Sequence, residues 1–220
     1  MKAIIFDLDN TLTHREQTIR NYASIFLADY SAQLIPALDS GWFADKLVTL
    51  DEGGYAGHDV RSQRLAMLDI WLTRPDAVQL QQHWHTWMPH HPVPMPGLYP
   101  VLEKLKQYGY RLGIITNGQG SNQRAKIAAL NIADYFDVII VSEEVGVKKP
   151  APAIFTMALS SLNISADQAM YIGDHPVNDY QGARNAGIKA VWFRGFMLWP
   201  DDWSAAQSTI DHLEHLLDKV

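Results

Sequence analysis

The chain has 220 residues, 47% hydrophobic and 19% charged, which is enough apolar material for a packed core and too little charge for a disordered segment. A net charge of −6 without a long basic run argues against a nucleic-acid partner. The absence of cysteine excludes a disulfide framework and a thiol nucleophile, and leaves oxygen or imidazole as metal ligands.

The first element is a strand over Ala3–Phe6, followed by Asp7-Leu8-Asp9-Asn10-Thr11. In extended chain, residues i and i+2 point the same way, so Asp7 and Asp9 start out on one side. Crowded carboxylates repel unless a cation or a shared proton relieves them. That points to metal-assisted chemistry, although a strand ending in a polar turn reads similarly. Thr13 and Glu16 have the spacing of a capping box, and Ile19, Tyr22, Phe26 and Tyr30 follow at helical spacing until Pro36. Helices are also predicted around Trp42–Leu50, His58–Leu72 and Asp76–Met88, with Asp51-Glu52-Gly53-Gly54 as a turn. Pro89, Pro92, Pro94, Pro96 and Gly97 mark a boundary.

Beyond it strands and helices alternate. Helices are predicted over Leu98–Tyr108, Gln123–Leu130, Ala153–Leu162, Asp179–Ala186 and Asp211–Leu217, and strands over Arg111–Ile115, Val138–Val141, Ala169–Ile172 and Ala190–Phe193. This is the pattern of an α/β fold, a doubly wound and mostly parallel sheet covered on both faces. The expected organisation is an α/β core of residues 1–13 and 93–220 with an all-helical cap, 14–92, inserted after the first strand. No apolar run is long enough to span a bilayer and the N-terminus enters a strand directly, so a cytoplasmic protein with no membrane partner is expected.

Ligands in open α/β sheets bind beyond the carboxyl ends of the strands, and the predicted strands carry polar residues there. Thr116-Asn117-Gly118 offers a hydroxyl and backbone amides for phosphate, or an ordinary turn. Pro150 restricts the residue before it, Lys149, although a lysine pair is also a common solvated face. Asp174 follows Gly173 at a strand end, and Asp179 begins a helix, where charge pairing with the dipole is the plainer reading. Parallel strands would align these residues with Asp7 and Asp9 along one edge. Oxygen ligands of this kind suit Mg²⁺.

These segments resemble the haloacid dehalogenase superfamily of phosphohydrolases. Asp7-Leu8-Asp9-Asn10-Thr11 is similar to its first motif, Ile114-Ile115-Thr116 to its second, Lys149-Pro150 to its third, and Gly173-Asp174 with Asp179 to its fourth. The resemblance implies a Rossmann-like core of the helical-cap branch. It implies Asp7 as the nucleophile that becomes an aspartyl phosphate, and Asp9 as general acid and base. Mg²⁺ would be held by Asp7, Asp9 through its carbonyl, and Asp174, with Asp179 acting behind them. Phosphate would be bound by Thr116, Asn117, Gly118 and Lys149. The implied activity is hydrolysis of a small phosphorylated substrate such as a sugar phosphate, a nucleotide or a flavin mononucleotide, by a monomer or homodimer. A phosphomutase and a non-catalytic phosphate-binding protein are the alternatives. In the cap, Tyr55, His58, Arg61, Arg64 and Trp84 are candidate substrate contacts, while His83, His85, His90 and His91 read as a surface cluster. Phe196–Trp199 is read as packing beneath the last helix.

Overall fold

The computed structural model describes residues 1–220 apart from the side chain of His58. Contacts divide the chain into two compact units, Met1–His14 with Pro94–Val220, and Arg15–Val93. In chain order, β1 (Ala3–Phe6) is followed by α1 (Arg15–Asp29), α2 (Ser40–Asp51), α3 (His58–Ala66) and α4 (Ala77–Trp87). Then come α5 (Leu98–Gln107), β2 (Arg111–Thr116), α6 (Gly120–Ala129), β3 (Val138–Val141), α7 (Ser142–Val145) and α8 (Pro152–Ser161). The chain ends with β4 (Ala169–Gly173), α9 (Gly182–Asn185), β5 (Lys189–Phe193) and β6 (Thr209–Ile210).

The six strands form one sheet in the order β3-β2-β1-β4-β5-β6, and every pairing is parallel. Side chains alternate across such a sheet. Ile4, Phe6, Ile114 and Ile172 therefore pack into one apolar cluster and Ala3, Ile5, Ile115 and Tyr171 into another on the opposite face. Both faces are buried, which is why these strands read as continuous apolar runs. Central β1 has Phe6 opposite Ile114 on one side and Ile172 on the other, so β1 ends first, β4 runs on to Gly173 and β2 to Thr116. Among the described residues no helix is long and apolar enough to cross a membrane.

The helical unit has its own core. Ile19, Tyr22 and Phe26 on α1 are buried, and the Phe26 ring lies 4.5 Å from Tyr30 and 5.2 Å from Phe43. Asp39 caps α2 by accepting from Trp42 N–H at 2.6 Å. At α4 Asp76 accepts from Val78 N–H at 3.0 Å and itself donates its N–H to the Gln79 side chain at 3.2 Å. Each cap satisfies amides that the first helical turn leaves without a partner.

Several elements differ from their expected form. Thr13 does not cap α1: its hydroxyl donates to Leu8 O and to Asp9 Oδ1, both at 3.4 Å. Thr13 is tied into the turn after β1, so the helix starts two residues later, and Glu16 takes Arg20 instead. Helix α3 stops at Ala66 because the following segment pairs with residues 33–35, where Ile35 N–H donates to Ile70 O at 2.9 Å. The helix expected over 179–186 is a wide π-turn, Pro176–Gln181, followed by the short α9. At the C-terminus, Leu213–Asp218 is a 3₁₀ helix rather than an α-helix. Its buried Leu213 and Leu216 fit a three-residue repeat. Phe196 packs on Phe193 and His14, Trp199 packs on Trp192 and Tyr180, and Leu198 is exposed.

Strand β4 ends at a place with no room for a side chain. A Cβ on Gly173 would lie 2.4 Å from the carboxyl carbon of Asp179. Gly173→Ala is therefore expected to displace Asp179 and to destabilise the protein by about 1–3 kcal/mol. Urea unfolding checks this; a midpoint equal to that of the parent would contradict the close approach.

Candidate active site

The neighbouring carboxyl ends of β1, β2 and β4 determine where the site forms. Asp7 is the first residue past β1 and donates its N–H to Ile172 O on β4 at 2.9 Å. Lys149 arrives from the loop after β3, with its backbone fixed by Asn117. Lys149 N–H donates to Asn117 Oδ1 at 2.9 Å, and Asn117 Nδ2 donates to Lys149 O at 3.0 Å. The Asn117 side chain thus holds the lysine in place, and the Gly118 N–H donates to Ser142 Oγ at 3.0 Å.

Lys149 reaches inward to the acids. Its Nζ donates to Asp7 Oδ1 at 2.5 Å, to Asp179 Oδ1 at 2.7 Å and to the Tyr171 hydroxyl at 3.0 Å. The Tyr171 hydroxyl lies 3.0 Å from Asp179 Oδ1 and 3.2 Å from Ile115 O. Asp179 Oδ2 accepts from His175 N–H at 3.0 Å, so the π-turn folds this carboxylate back beneath β4. Asp174 accepts from Asn10 Nδ2 at 3.3 Å, and its carbonyl accepts from Trp192 Nε1 at 2.7 Å.

Asp7, Asp174, Asp179 and Lys149 are all buried. The three acids each offer an oxygen within 4.8 Å of the others. At that separation two unit charges repel by about 3.5 kcal/mol at an effective dielectric near 20. One ammonium cannot balance three carboxylates. Burial pushes the Asp7 carboxyl up to about 7 against the pull of Lys149, and Asp179 adds to the rise. Burial, with Asp179 and Asp7 alongside, also holds Asp174 well above the usual carboxylate range. Burial works against the Lys149 ammonium, but Asp179 and Asp7 outweigh it and hold its pKa above that of an ordinary lysine.

Asp9 belongs to a neighbouring network. Lys126 Nζ donates to its two oxygens at 2.8 and 2.6 Å, and Gln123 Nε2 donates to Oδ2 at 3.1 Å. Gln123 Nε2 also donates to Thr116 Oγ1 at 2.5 Å. The structure thus brings Asp7, Lys149, Asp174 and Asp179 into one cluster, and Asp9 and Thr116 into a second. Asp179 touches Lys149 and Tyr171 and lies within 4.8 Å of the other two acids. Gln123, Lys126 and Tyr171 escaped the sequence reading. Gln123 and Lys126 had a faint signal, two polar residues three apart just after a strand end; Tyr171 had none, because it sits in an apolar strand.

In the helical unit Arg61 and Trp84 are interior. The Arg61 guanidinium lies 3.9 Å over the Trp84 ring, and Nη1 donates to Asp51 Oδ1 at 3.3 Å. Arg64 pairs with Glu52 at the surface, Tyr55 is exposed, and His58 lies outside the described residues. His83 bonds to the Tyr22 hydroxyl and to Asp29, and His91 stacks on Trp87. Among the described residues the group suited to a metal is Asp7, Asp174 and Asp179.

The profile of haloacid dehalogenase-like hydrolases matches residues 4–193. A glyceraldehyde 3-phosphate phosphatase of Pyrococcus abyssi is 47% identical over 100 residues, 46% of this chain and 42% of that one, so this chain spans less than half the length of that relative. A ribulose-1,5-bisphosphate 5-phosphatase of Halopiger xanaduensis is 32% identical over 208 residues, 87% of this chain and 84% of that one. Among solved structures, the magnesium-bound hydrolase YfnB of Bacillus subtilis shares the fold with a TM-score of 0.77 at 21% identity, covering 99% of this chain and 97% of that one. With the profile spanning most of the sequence and a relative aligned over nearly all of it, the chain belongs to the haloacid dehalogenase-like hydrolase family.

Proposed function

We propose that the protein is a magnesium-dependent phosphomonoesterase that acts on a small phosphorylated metabolite, with sugar phosphates favoured. The observation that carries this reading is the charge imbalance at the strand ends, three buried carboxylates against one ammonium. The family's phosphatases support it, among them those named for glyceraldehyde 3-phosphate and ribulose bisphosphate.

The donor set fits a hard divalent cation: clustered carboxylate oxygens in a chain without cysteine. Asp7, Asp174 and the Asp9 carbonyl would hold Mg²⁺, with Asp179 beside them. When bound, the ion supplies positive charge that offsets repulsion between the phosphate and the acids.

Asp7 attacks phosphorus through a carboxylate oxygen. As that bond forms, the ester P–O bond breaks and Asp9 gives its proton to the departing alcohol oxygen. A water then attacks the aspartyl phosphate, Asp9 takes the proton of that water, and inorganic phosphate leaves with Asp7 restored. Lys149 keeps its ammonium against the equatorial oxygens, where charge accumulates. The Thr116 hydroxyl donates to a phosphate oxygen. Asp179 and Tyr171 aim Lys149.

Asp7→Asn should lower kcat by at least about three orders of magnitude while the protein stays folded. Phosphate release over a panel of sugar phosphates and nucleotides measures this, and a variant that turns over normally would exclude Asp7 as nucleophile. Asp174→Ala should raise the Mg²⁺ concentration needed for half-maximal activity by at least about tenfold; an unchanged metal titration would remove Asp174 from the ligand set.

The Asp7 carboxyl rises to about 7 in the folded chain from an ordinary value of 3.8. Its contribution to stability is thus present below about pH 4 and is lost as pH rises through about 7, because the native state holds the proton across that window. A cation held by Asp7 and Asp174 would supply the missing positive charge, and only to the ionised form of Asp7. The rise in thermal midpoint on exchanging EDTA for Mg²⁺ should therefore be larger at pH 8 than at pH 5.5. An equal rise at both values would contradict the assignment.

A further inference from the structure

Helix α6 carries two buried polar side chains that the reaction as drawn does not use. Gln123 and Lys126 are 2% and 8% exposed, and three residues apart they share a helix face. A lysine is almost never this buried unless it is paired. Lys126 Nζ holds both Asp9 oxygens, at 2.8 and 2.6 Å, and also donates to Gln123 Oε1 at 2.8 Å. With Oε1 turned to the lysine, Gln123 Nε2 faces the other way, toward Asp9 Oδ2 at 3.1 Å and Thr116 Oγ1 at 2.5 Å. The reverse orientation of this amide would set Nε2 against an ammonium that has no lone pair to accept it.

We propose that Lys126 and Gln123 are positioning residues that hold the Asp9 carboxyl and the Thr116 hydroxyl in register, so that proton delivery to the leaving oxygen and capture of the phosphoryl group occur in one geometry. The proposal rests on the phosphomonoesterase reading above. Three hydrogen bonds donated from α6, with a longer one from Thr13, fix the plane of the Asp9 carboxylate. The Gln123 donor occupies a lone pair of Thr116 Oγ1, whose own proton has only the long contact to Asn117 O at 3.5 Å to give up for a phosphoryl oxygen. Stability alone does not account for this network, because a buried ion pair is often no more stabilising than apolar residues of the same volume. A misplaced proton donor, by contrast, costs rate directly.

The step itself is balanced. The proton that Asp9 carries is the one taken from water in the preceding turnover. Its O–H bond breaks, the proton goes to the ester oxygen as the P–O bond breaks, and the freed oxygen accepts from α6 again while the other oxygen stays against Lys126 throughout. A 4-nitrophenolate departs without that proton; an alkoxide does not. The steps up to alcohol departure determine kcat/KM, so later hydrolysis of the aspartyl phosphate does not enter it.

The experiment measures kcat/KM with Mg²⁺ for 4-nitrophenyl phosphate and for the best alkyl ester among the sugar phosphates, using wild type, Lys126→Met, Lys126→Arg and Gln123→Met. Circular dichroism verifies folding. Lys126→Met is expected to lose about thirtyfold or more on the alkyl ester and about threefold or less on the aryl ester, within the range of a general acid. Lys126→Arg should recover most of the loss. Gln123→Met cuts the link from the other side and should show the same selectivity, so it serves if Lys126→Met does not fold. Equal losses on both esters, or none on either, would overturn the positioning role while leaving the phosphatase reading intact. A wild-type protein that hydrolyses neither ester would instead overturn the phosphatase reading and this inference together.

Discussion

The whole site is organised around one ammonium that faces more negative charge than it can neutralise. Lys149 touches Asp7 and Asp179 directly, with Asp174 close by, and all four are withdrawn from water. Such an arrangement is costly on its own. It persists because the surrounding structure leaves its members little freedom. Asn117 fixes the Lys149 backbone from the end of β2, Tyr171 reaches across from β4, and the small Gly173 lets the Asp179 carboxylate lie against the strand. Asn117 follows the end of β2, Gly173 ends β4 and Tyr171 lies within it, so the parallel sheet is what makes the cluster possible.

The two acids of the first motif separate although they are two residues apart. In a continuing strand they would project together, but β1 ends at Phe6. The chain then turns tightly, with Leu12 and Thr13 N–H both donating to Leu8 O and Asn10 in the left-handed region at φ 58°. Asp7 stays with the cluster under β4, while Asp9 is carried over to α6. One carboxylate is thereby placed among other acids and the other against a lysine. The two environments differ in the way that pairs of acids with two separate roles require, which is the division of labour proposed for Asp7 and Asp9.

How much of this could be read from the residues follows from what determines each part. The strands were legible because apolar runs bounded by Gly, Pro and Asp have few other uses; Val138–Val141 reads and folds as the same strand. Asp7 and Asp174 were legible as polar residues at strand ends, where an α/β sheet binds its ligands, whereas Lys149 and Asp179, in the segments beyond β3 and β4, stood out only through the resemblance of their motifs. Local signals failed where tertiary contacts decide. Thr13 had the spacing of a cap, yet the turn after β1 claimed it. Helix α3 had the periodicity to continue past Ala66, but pairing with residues 33–35 ended it. The strand β6 is two residues long and is defined only by its neighbour β5. Tyr171 could not be found at all, since its ring packs like any core aromatic and only its hydroxyl enters the site.

The second network also bears on the kind of bond that is broken. A carboxylate nucleophile suffices to displace a halide, which leaves as a stable anion and needs no proton. An alcohol leaving from a phosphate ester would depart as a strong base unless protonated. Asp9, Lys126, Gln123 and Thr116 are joined through hydrogen bonds between 2.5 and 3.1 Å, and α6 contributes two buried polar side chains to them. For a halide such a device would have no task, whereas for an oxygen leaving group it meets the main difficulty of the first step. The family as a whole accommodates both chemistries on one fold, so fold likeness alone does not choose between them. Under the proposed reading, the arrangement around Asp9 is what suits an ester.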